Sequence, residues 1–339
     1  MKQRTYSILA GLFAAAASVG AALAQTPEAF FRGRTLSLVI PNAPGGSFDL
    51  YGRLAAKHIG RFLPGQPNVV AQNMPGAGGM IASNWLYGVA PKDGSAMGVL
   101  VPNVALAQVI GVSAIAYDTR RFNWIGRLVS PTATLFTWHK SATTKIADLA
   151  TRETIVASTG PLSQVEITSR MMNGVVGARF RIIEGYKGTT DATHAMEQGE
   201  VEAVVMPWTL MKLAHPDWIR DKKINVIAQY TRKPVGDLKD IPSIFELART
   251  EDEKAVFSLF FGPDEIGQPL VAPPGVPADR VEALRQAFAA MNRDPDYLAD
   301  AARQKLDLTP ATHVELEKTV AEAFSATPKQ IEIARKYYQ

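Results

Sequence analysis

Two glycine-rich loops contain the residues best suited to chemistry in this 339-residue chain. The loop residues that we expect to contact a ligand are Ala43, Pro44, Gly45, Gly46, Ser47 and Asp49 in the first loop and Gly76, Ala77, Gly78 and Gly79 in the second. Glycines let the backbone approach a ligand closely and accept positive φ angles. Each loop precedes a predicted helix, whose first N–H groups are unpaired and lie at the positive end of its dipole. The two loops are therefore candidates for an anion site, although each alone could simply be a tight turn.

Strand and helix patterns alternate around these loops. Buried-strand patterns cover residues 35–40, 69–72, 96–101, 154–157, 180–183, 201–205 and 224–229, and helical patterns cover residues 49–63, 79–89, 163–175 and 190–198. This alternation predicts an α/β fold. Open α/β sheets bind ligands at the carboxyl ends of neighbouring strands, so we expect the two loops to converge there.

The loops do not match the sequence fingerprints of nucleotide sites. Ile81 stands where a dinucleotide motif requires its last glycine, and the chain has no Gly-Lys-Ser/Thr sequence. Cysteine is absent, the five histidines lie far apart in the sequence, and no G-x-S-x-G elbow occurs. We therefore predict no cofactor, no metal, no catalytic residue and no enzymatic activity. A periplasmic hydrolase using Ser163, His194 and Asp191 is an alternative that no motif supports.

The first residues have the three parts of a secretory signal. Lys2 and Arg4 precede an apolar run over residues 6–22, and Ala22-Leu23-Ala24 forms an A-x-A-like cleavage site. The run is short for a transmembrane anchor, which is the alternative. We predict a cleavable signal peptide over residues 1–24 and a periplasmic location. The formal net charge is +4 with scattered Lys and Arg, so no nucleic-acid partner is expected.

Six segments follow one another in an order that resembles a known family. They are residues 40–53, 73–79, 91–94, 158–163, 185–189 and 272–277. The first is similar to V-P-x-x-P-G-G-x-x-D-x-x-A-R, with Gly52 at the alanine position, and the second fits N-x-P-G-A-G-G. The chain thus resembles the periplasmic receptors of tripartite tricarboxylate transporters, the TctC or Bug family.

The resemblance implies a type II periplasmic binding protein fold, in which two α/β lobes are joined by two crossover strands. Lobe 1 would comprise residues 25–133 plus 258–339, and lobe 2 residues 134–257. The ligand carboxylate would lie against the two glycine-rich loops. The contacts from lobe 2 would come from Ser158, Thr159, Gly160, Ser163 and Tyr186. We expect a monomer that works with the membrane subunits of the transporter.

Two positions depart from the family pattern near the expected cleft. Glu166 stands where the family often has histidine, and Met206-Pro207-Trp208 stands where an acidic residue is frequent. We place Trp208 in the cleft wall, although it could equally fill the core. The predicted function is the capture of a small carboxylate, with an apolar or aromatic body as one option. A ligand-loaded partner of a membrane sensor kinase is the alternative.

Overall fold

The computed structural model describes residues 25–130, 132–161, 163–231, 238–261 and 266–338. The predicted signal peptide, residues 1–24, lies outside the described residues. Within the described ranges, no helix combines the length and the apolar character needed to cross a membrane.

The strands of the described residues form two mixed sheets. In chain order they are β1 (Thr35–Ile40), β2 (Asn68–Asn73), β3 (Ala96–Val99), β4 (Asn123–Val129), β5 (Ala133–Trp138), β6 (Thr154–Ala157), β7 (Phe180–Ile183), β8 (Ala203–Pro207), β9 (Ile224–Gln229), β10 (Gln268–Ala272) and β11 (Ala311–Thr312). The first sheet has the order β11-β4-β10-β3-β1-β2, and the second has the order β7-β6-β8-β5-β9. Strand β1 is parallel to β2 and β3, whereas β10 is antiparallel to its neighbours β3 and β4.

Helices pack against both sheets. In chain order they are α1 (Pro27–Phe31), α2 (Ser47–Ile59), α3 (Met80–Gly88), α4 (Val104–Ile110), α5 (Gln164–Val176), α6 (Thr189–Gln198), α7 (Trp208–Ala214), α8 (Pro216–Arg220), α9 (Glu251–Phe261), α10 (Ala278–Met291), α11 (Pro295–Arg303), α12 (His313–Phe324) and α13 (Pro328–Tyr338). We call the first sheet with α1–α3 and α10–α12 the first lobe, and the second sheet with α5–α9 and α13 the second lobe. Helix α4 lies between them.

Helix α2 shows how the sequence pattern produces this packing. Its buried apolar face contains Tyr51, Leu54, Ala55 and Ile59, which recur at helical spacing. The helix ends at Ile59 and a short 3₁₀ helix follows, whereas the sequence predicted a helix to residue 63. A Cβ on Gly60 would lie 2.3 Å from the carbonyl oxygen of residue 67. The chain therefore folds tightly back on itself here, and the regular helix stops earlier than its apolar pattern suggests.

The chain passes between the two sheets at more than one place. It crosses between β4 and β5, between α9 and β10, and again between α12 and α13. Helix α13, which the sequence-based division assigns to lobe 1, packs against α5 and α9 of the second lobe. Leu106 and Ile110 of α4 belong to the same apolar cluster as Met171 of α5. The lobe boundaries therefore depend on the lobe to which α4 and α13 are assigned. The predicted division into residues 25–133 plus 258–339 and residues 134–257 stays a prediction.

Candidate ligand-binding site

A cavity of about 110 Å³ lies between the two lobes. Its lining from the first lobe consists of Asn42, Ser47, Phe48, Gly78, Val101, Pro102, Gly267 and Gln268. Its lining from the second lobe consists of Ala157, Thr159, Ser163, Gln164, Val165, Thr189, Ala192, Val205, Met206 and Pro207. One water needs only about 10–15 Å³ measured in this way. The cavity therefore has room for a small organic molecule.

Helix N-termini from both lobes meet at this cavity. Ser47 is the first residue of α2, Thr189 is the first residue of α6, and Ser163 is the N-cap of α5. The N–H groups of a helix's first turn have no acceptor within the helix. Among the described lining residues, none carries a formal charge. Hydroxyl groups, backbone N–H groups and helix dipoles, rather than cationic side chains, are thus available to hold an anion.

The Asp49 carboxylate stabilises the conformation of the first glycine-rich loop through hydrogen bonds. The residue is 4% exposed, and its carboxylate accepts hydrogen bonds from the Gly45 N–H at 3.0 Å, Arg53 Nε at 2.8 Å and Asn73 Nδ2 at 2.8 Å. Asn73 Nδ2 also donates to the carbonyl oxygen of Asn42 at 2.8 Å. Burial alone would raise the pKa of Asp49, but the bonds from Arg53, Gly45 and Asn73 outweigh it and hold the pKa below its usual value. Asp49 therefore fixes the loop to the end of β2 and lies outside the cavity lining.

The second glycine-rich loop turns through left-handed backbone. Gly78 and Gly79 have φ angles of 65° and 100°, and a Cβ on Gly79 would lie 2.7 Å from Val101 Cγ1. Glycine alone adopts such angles without cost. The turn presents the Gly78 N–H to the second lobe, where it donates to the carbonyl oxygen of Thr159 at 2.7 Å.

The facing loop of the second lobe is shaped by two serines. Ser158 Oγ accepts from the Gly160 N–H and lies 3.0 Å from Ser163 Oγ. Ser163 Oγ caps α5 by accepting from the Glu166 N–H at 3.1 Å. Ser158 is fully buried, whereas Thr159 and Ser163 line the cavity. Ser163 thus has both of the roles that its position suggests, as a helix cap and as part of the cavity wall.

The two lobes touch on several sides of the cavity. The Ala43 N–H donates to the carbonyl oxygen of Lys187 at 3.3 Å, next to the first glycine-rich loop. Thr209 Oγ1 of α7 donates to Asp307 Oδ2 of the first lobe at 2.7 Å. Together with the bond between Gly78 and Thr159, these contacts hold the two lobes against each other around the cavity. The structure is a closed arrangement of the lobes.

The structure brings four of the predicted site residues to the cavity wall, namely Ser47, Gly78, Thr159 and Ser163. Ten others are not lining residues: Asp49 in the first turn of α2, and, in the loops beside the cavity, Ala43, Pro44, Gly45, Gly46, Gly76, Ala77, Gly79, Ser158 and Gly160. Their predicted roles in ligand contact stay predictions. The geometry gives several of them a structural role in shaping the loops.

Two aromatic residues lie apart from the cavity wall. The ring of Trp208 stacks on Phe136 with a centroid distance of 6.0 Å, and Lys212 Nζ lies 5.7 Å from its centroid. Tyr186 is half-buried, and its N–H donates to the carbonyl oxygen of Ser158 at 3.3 Å. Neither is among the lining residues, whereas Met206 and Pro207, which precede Trp208, are. Contact of Tyr186 or Trp208 with a ligand stays a prediction.

Most of the residues that line the cavity were not among the ligand-binding residues predicted from the sequence. These residues are Asn42, Phe48, Val101, Pro102, Ala157, Gln164, Val165, Thr189, Ala192, Val205, Met206, Pro207, Gly267 and Gln268. One signal was available for Gln268. This glutamine begins a short strand in which every residue is buried, and a polar side chain in such a strand requires a specific partner.

Comparison with known proteins identifies the family of this chain. A family model described as tripartite tricarboxylate transporter family receptor, TctC, matches residues 52–333. The chain belongs to this family. A curated relative from Cupriavidus necator, described as a UPF0065 protein in the gbd 5'region, is 26% identical over 327 residues, which cover 91% of this chain and 90% of the relative.

Solved structures show the same fold at low sequence identity. The periplasmic binding protein BugD is 21% identical, with a TM-score of 0.72, and the match covers 91% of this chain and 98% of BugD. MatC from Rhodopseudomonas palustris with bound malate is 19% identical, with a TM-score of 0.70 and coverages of 90% and 100%. A second R. palustris protein, solved with adipate, is 18% identical, with a TM-score of 0.68 and coverages of 89% and 97%.

These likenesses confirm the predicted fold class, an α/β periplasmic binding protein fold of type II with two lobes. As a member of the TctC family, this chain is a solute-binding receptor for a transporter. The family match gives no support to the sensor-kinase alternative, and the family is one of receptors rather than enzymes.

Proposed function

We propose that this receptor captures a small carboxylate in the cavity between its lobes and delivers it to the membrane subunits of a tripartite tricarboxylate-type transporter. The observation that supports this most directly is the meeting of the α2, α5 and α6 N-termini at an uncharged cavity. Such an arrangement favours an anion over a cation or a neutral sugar.

The expected binding energy is compatible with capture from dilute solution. Hydrogen bonds to a charged group contribute roughly 1.5–3 kcal/mol each. Four or five such bonds from hydroxyl and N–H groups, less the cost of ordering, are sufficient for the roughly 8 kcal/mol of micromolar affinity. Ser47, Thr159, Ser163 and Thr189 supply hydroxyl groups at the cavity wall.

Most of the remaining wall is apolar, apart from Asn42, Gln164 and Gln268, and it favours a particular kind of carboxylate. Phe48 and Val101 from the first lobe face the cavity together with Val165, Val205 and Met206 from the second lobe. Burying the apolar part of a ligand against these side chains is favourable, whereas burying a charged group there without a partner is unfavourable. MatC was solved with malate and a second relative with adipate, and we extend the class of small carboxylates to this chain. Within that class, the wall favours one carboxylate on an apolar body over a compact tricarboxylate.

The same proposal includes export and the absence of catalysis. The signal-like residues 1–24 and the periplasmic relatives support export to the periplasm, and we expect a monomer there. Ser163 Oγ contacts the Ser158 hydroxyl and the Glu166 N–H. Neither group is a general base, so the contacts of Ser163 do not favour the hydrolase alternative.

Native mass spectrometry of the protein as purified, followed by a thermal-shift screen, tests the proposal. We expect a bound small acid, or stabilisation by carboxylates but not by their uncharged amides. Mass action predicts about 2.7 kcal/mol of stabilisation at a ligand concentration 100 times Kd. Stabilisation by neutral sugars or amines, with none by any carboxylate, would contradict it.

A further inference from the structure

Gln25 is the first described residue, and it lies directly before a short helix that is anchored in the first lobe. Thr26 is the N-cap of α1, and its Oγ1 accepts a hydrogen bond from the Ala29 N–H at 3.3 Å. Phe30 and Phe31 of this helix are 3% and 0% exposed and belong to the apolar core of the first lobe. Only Thr26 therefore separates Gln25 from a helix that is fixed in place.

The side chain of Gln25 itself lies on the surface. The residue is exposed, and its Nε2 donates a hydrogen bond to the carbonyl oxygen of Ala29 at 3.0 Å. A single exposed hydrogen bond of this kind contributes little to stability, because water competes for both groups. The side-chain amide is thus free to leave Ala29 and to turn towards the main-chain nitrogen of its own residue.

Cleavage of the predicted signal peptide gives Gln25 a free α-amine. The sequence Ala22-Leu23-Ala24 directly precedes it, so cleavage after Ala24 makes Gln25 the first residue of the mature chain. Free α-amines have pKa values of about 7.7–8.0, so a fraction of them is unprotonated and nucleophilic at neutral pH. In glutamine, this nitrogen and the side-chain carbon Cδ are the ends of an unstrained five-membered ring. Attack within one residue is strongly favoured over attack between molecules.

We propose that the mature receptor carries pyroglutamate at residue 25. The unprotonated α-nitrogen of Gln25 forms a bond to Cδ, the bond between Cδ and Nε2 breaks, and Nε2 leaves as ammonia with one proton of the amine. The product is a neutral lactam, and the reaction consumes no oxidant, reductant or further reactant. This inference rests on the export in the proposed function, because only cleavage of the signal peptide frees the amine.

The modification should protect the terminus without changing ligand capture. Gln25 is not among the described residues that line the cavity. Helix α1 packs directly on the turn at Gly65, where a Cβ would lie 2.6 Å from the Arg32 nitrogen. A lactam has no free α-amine, so aminopeptidases, which require one, do not remove it. It also eliminates the positive charge that a free amine would place beside the N-cap Thr26.

Mass spectrometry of the protein from the periplasm of a Gram-negative host that expresses the full chain tests the proposal. The purified protein is kept at neutral pH until its intact mass no longer changes. We expect the mass of residues 25–339 less one molecule of ammonia. Dimethylation of all amines before tryptic digestion prevents cyclisation during the digestion from imitating this result. The peptide of residues 25–32 should then lack a label at its terminus and should have lost ammonia.

Gln25→Asn provides a matched control, because it keeps a side-chain amide but could close only a strained four-membered ring. Its terminal amine should be fully dimethylated, and its mass should show no loss of ammonia. A dimethylated amine on Gln25 of the wild-type protein, or a mature chain that begins at another residue, would overturn the proposal and leave export intact. A chain that keeps residues 1–24 would instead reject the proposed export and, with it, this modification.

Discussion

The Gly78 N–H donates a hydrogen bond across the lobes to the carbonyl oxygen of Thr159, with a nitrogen–oxygen distance of 2.7 Å. Both residues also line the cavity. The bond joins the second glycine-rich loop of the first lobe to the loop after β6 of the second lobe. Lobe closure and the ligand site therefore share the same backbone, so changes that prevent this contact should weaken ligand capture.

Gly160 provides the first test of this link. Its φ is 117°, and a Cβ there would lie 2.9 Å from the Gly78 nitrogen and 3.0 Å from the Ala77 carbonyl carbon. These are backbone atoms, which cannot easily move away. We expect Gly160→Ala to hold the lobes apart and to weaken ligand binding by about tenfold or more, a loss of about 1.4 kcal/mol. Calorimetry measures the affinity, and small-angle scattering should show less compaction on ligand addition.

Gly185→Ala is the matched control for this variant. Gly185 has a similar φ of 107°, but a Cβ there would have no atom of another described residue within 4 Å, apart from its chain neighbours. Both substitutions strain the backbone, and only Gly160→Ala places an atom between the lobes. An equal loss of affinity in the two variants would show that backbone strain, rather than the contact with Gly78, is responsible.

Asp49 is the second test, because it holds the first glycine-rich loop without lining the cavity. Asp49→Asn keeps one acceptor for the Gly45 N–H but places an amide donor near Arg53 and Asn73. We expect a loss of stability of about 1–3 kcal/mol and weaker ligand binding. Arg53→Gln, at a side chain that is 48% exposed, should cost less than about 1 kcal/mol. Equal thermal stability of Asp49→Asn and the wild type would refute this role.

The glycine-rich loops could be predicted from the sequence because their signals are local. Gly-Gly pairs between a strand pattern and a helix pattern identify a turn and its helix N-terminus, and the structure has both loops at the ends of β1 and β2. Gln268 could not be placed in the same way. It is 221 residues away from its partner Ser47, and only the tertiary fold brings β10 beside the start of α2.

Trp208 shows a second limit of sequence reasoning. A residue directly after a strand end can point to the cleft or to the core, and the sequence favours neither. The structure stacks its ring on Phe136, which lies in the neighbouring strand β5, because a large aromatic surface gains most from contact with another buried ring. Packing partners of this kind depend on strand order, which the pattern of apolar residues does not specify.

A buried carboxylate in the first lobe should make stability depend on pH. Asp300 accepts hydrogen bonds from His58 Nε2 at 2.8 Å and Lys57 Nζ at 2.7 Å. The bond from His58, followed by that from Lys57, lowers the pKa of Asp300 well below its usual value. A lowered folded-state pKa stabilises the protein above the unfolded-state value of about 3.9, and the stabilisation is lost as the pH falls below it.

We therefore expect Asp300→Asn to lower Tm by at least about 2–4 °C at pH 7. The difference from the wild type should shrink as the pH falls from about 5 towards 3. Asp296→Asn is the control, because Asp296 lies on the same helix but its side chain is 78% exposed. Thermal unfolding monitored by circular dichroism at several pH values measures both. A difference between Asp300→Asn and the wild type that does not change with pH would contradict this assignment.

The apolar wall of the cavity gives the last prediction, which concerns the body of the ligand. Val205 lies on β8, is half-buried and lines the cavity. Val205→Thr preserves the shape of the side chain but adds a hydroxyl group to an apolar surface. Contact of that hydroxyl with hydrocarbon desolvates it without a partner. We expect binding of acids with branched or aromatic bodies to weaken by about five- to tenfold, and binding of succinate to weaken less.

Val226→Thr makes the same substitution on β9 of the same sheet, at a half-buried position outside the cavity lining. It should change stability by a similar amount, since both valines lose apolar contact, while leaving every affinity unchanged. Calorimetry with isovalerate, phenylpropionate and succinate separates the outcomes. If Val205→Thr weakens succinate as much as isovalerate, the wall does not select the ligand body. Binding of a compact dicarboxylate would then depend only on the helix N-termini, which present the same hydroxyl and N–H groups to any carboxylate.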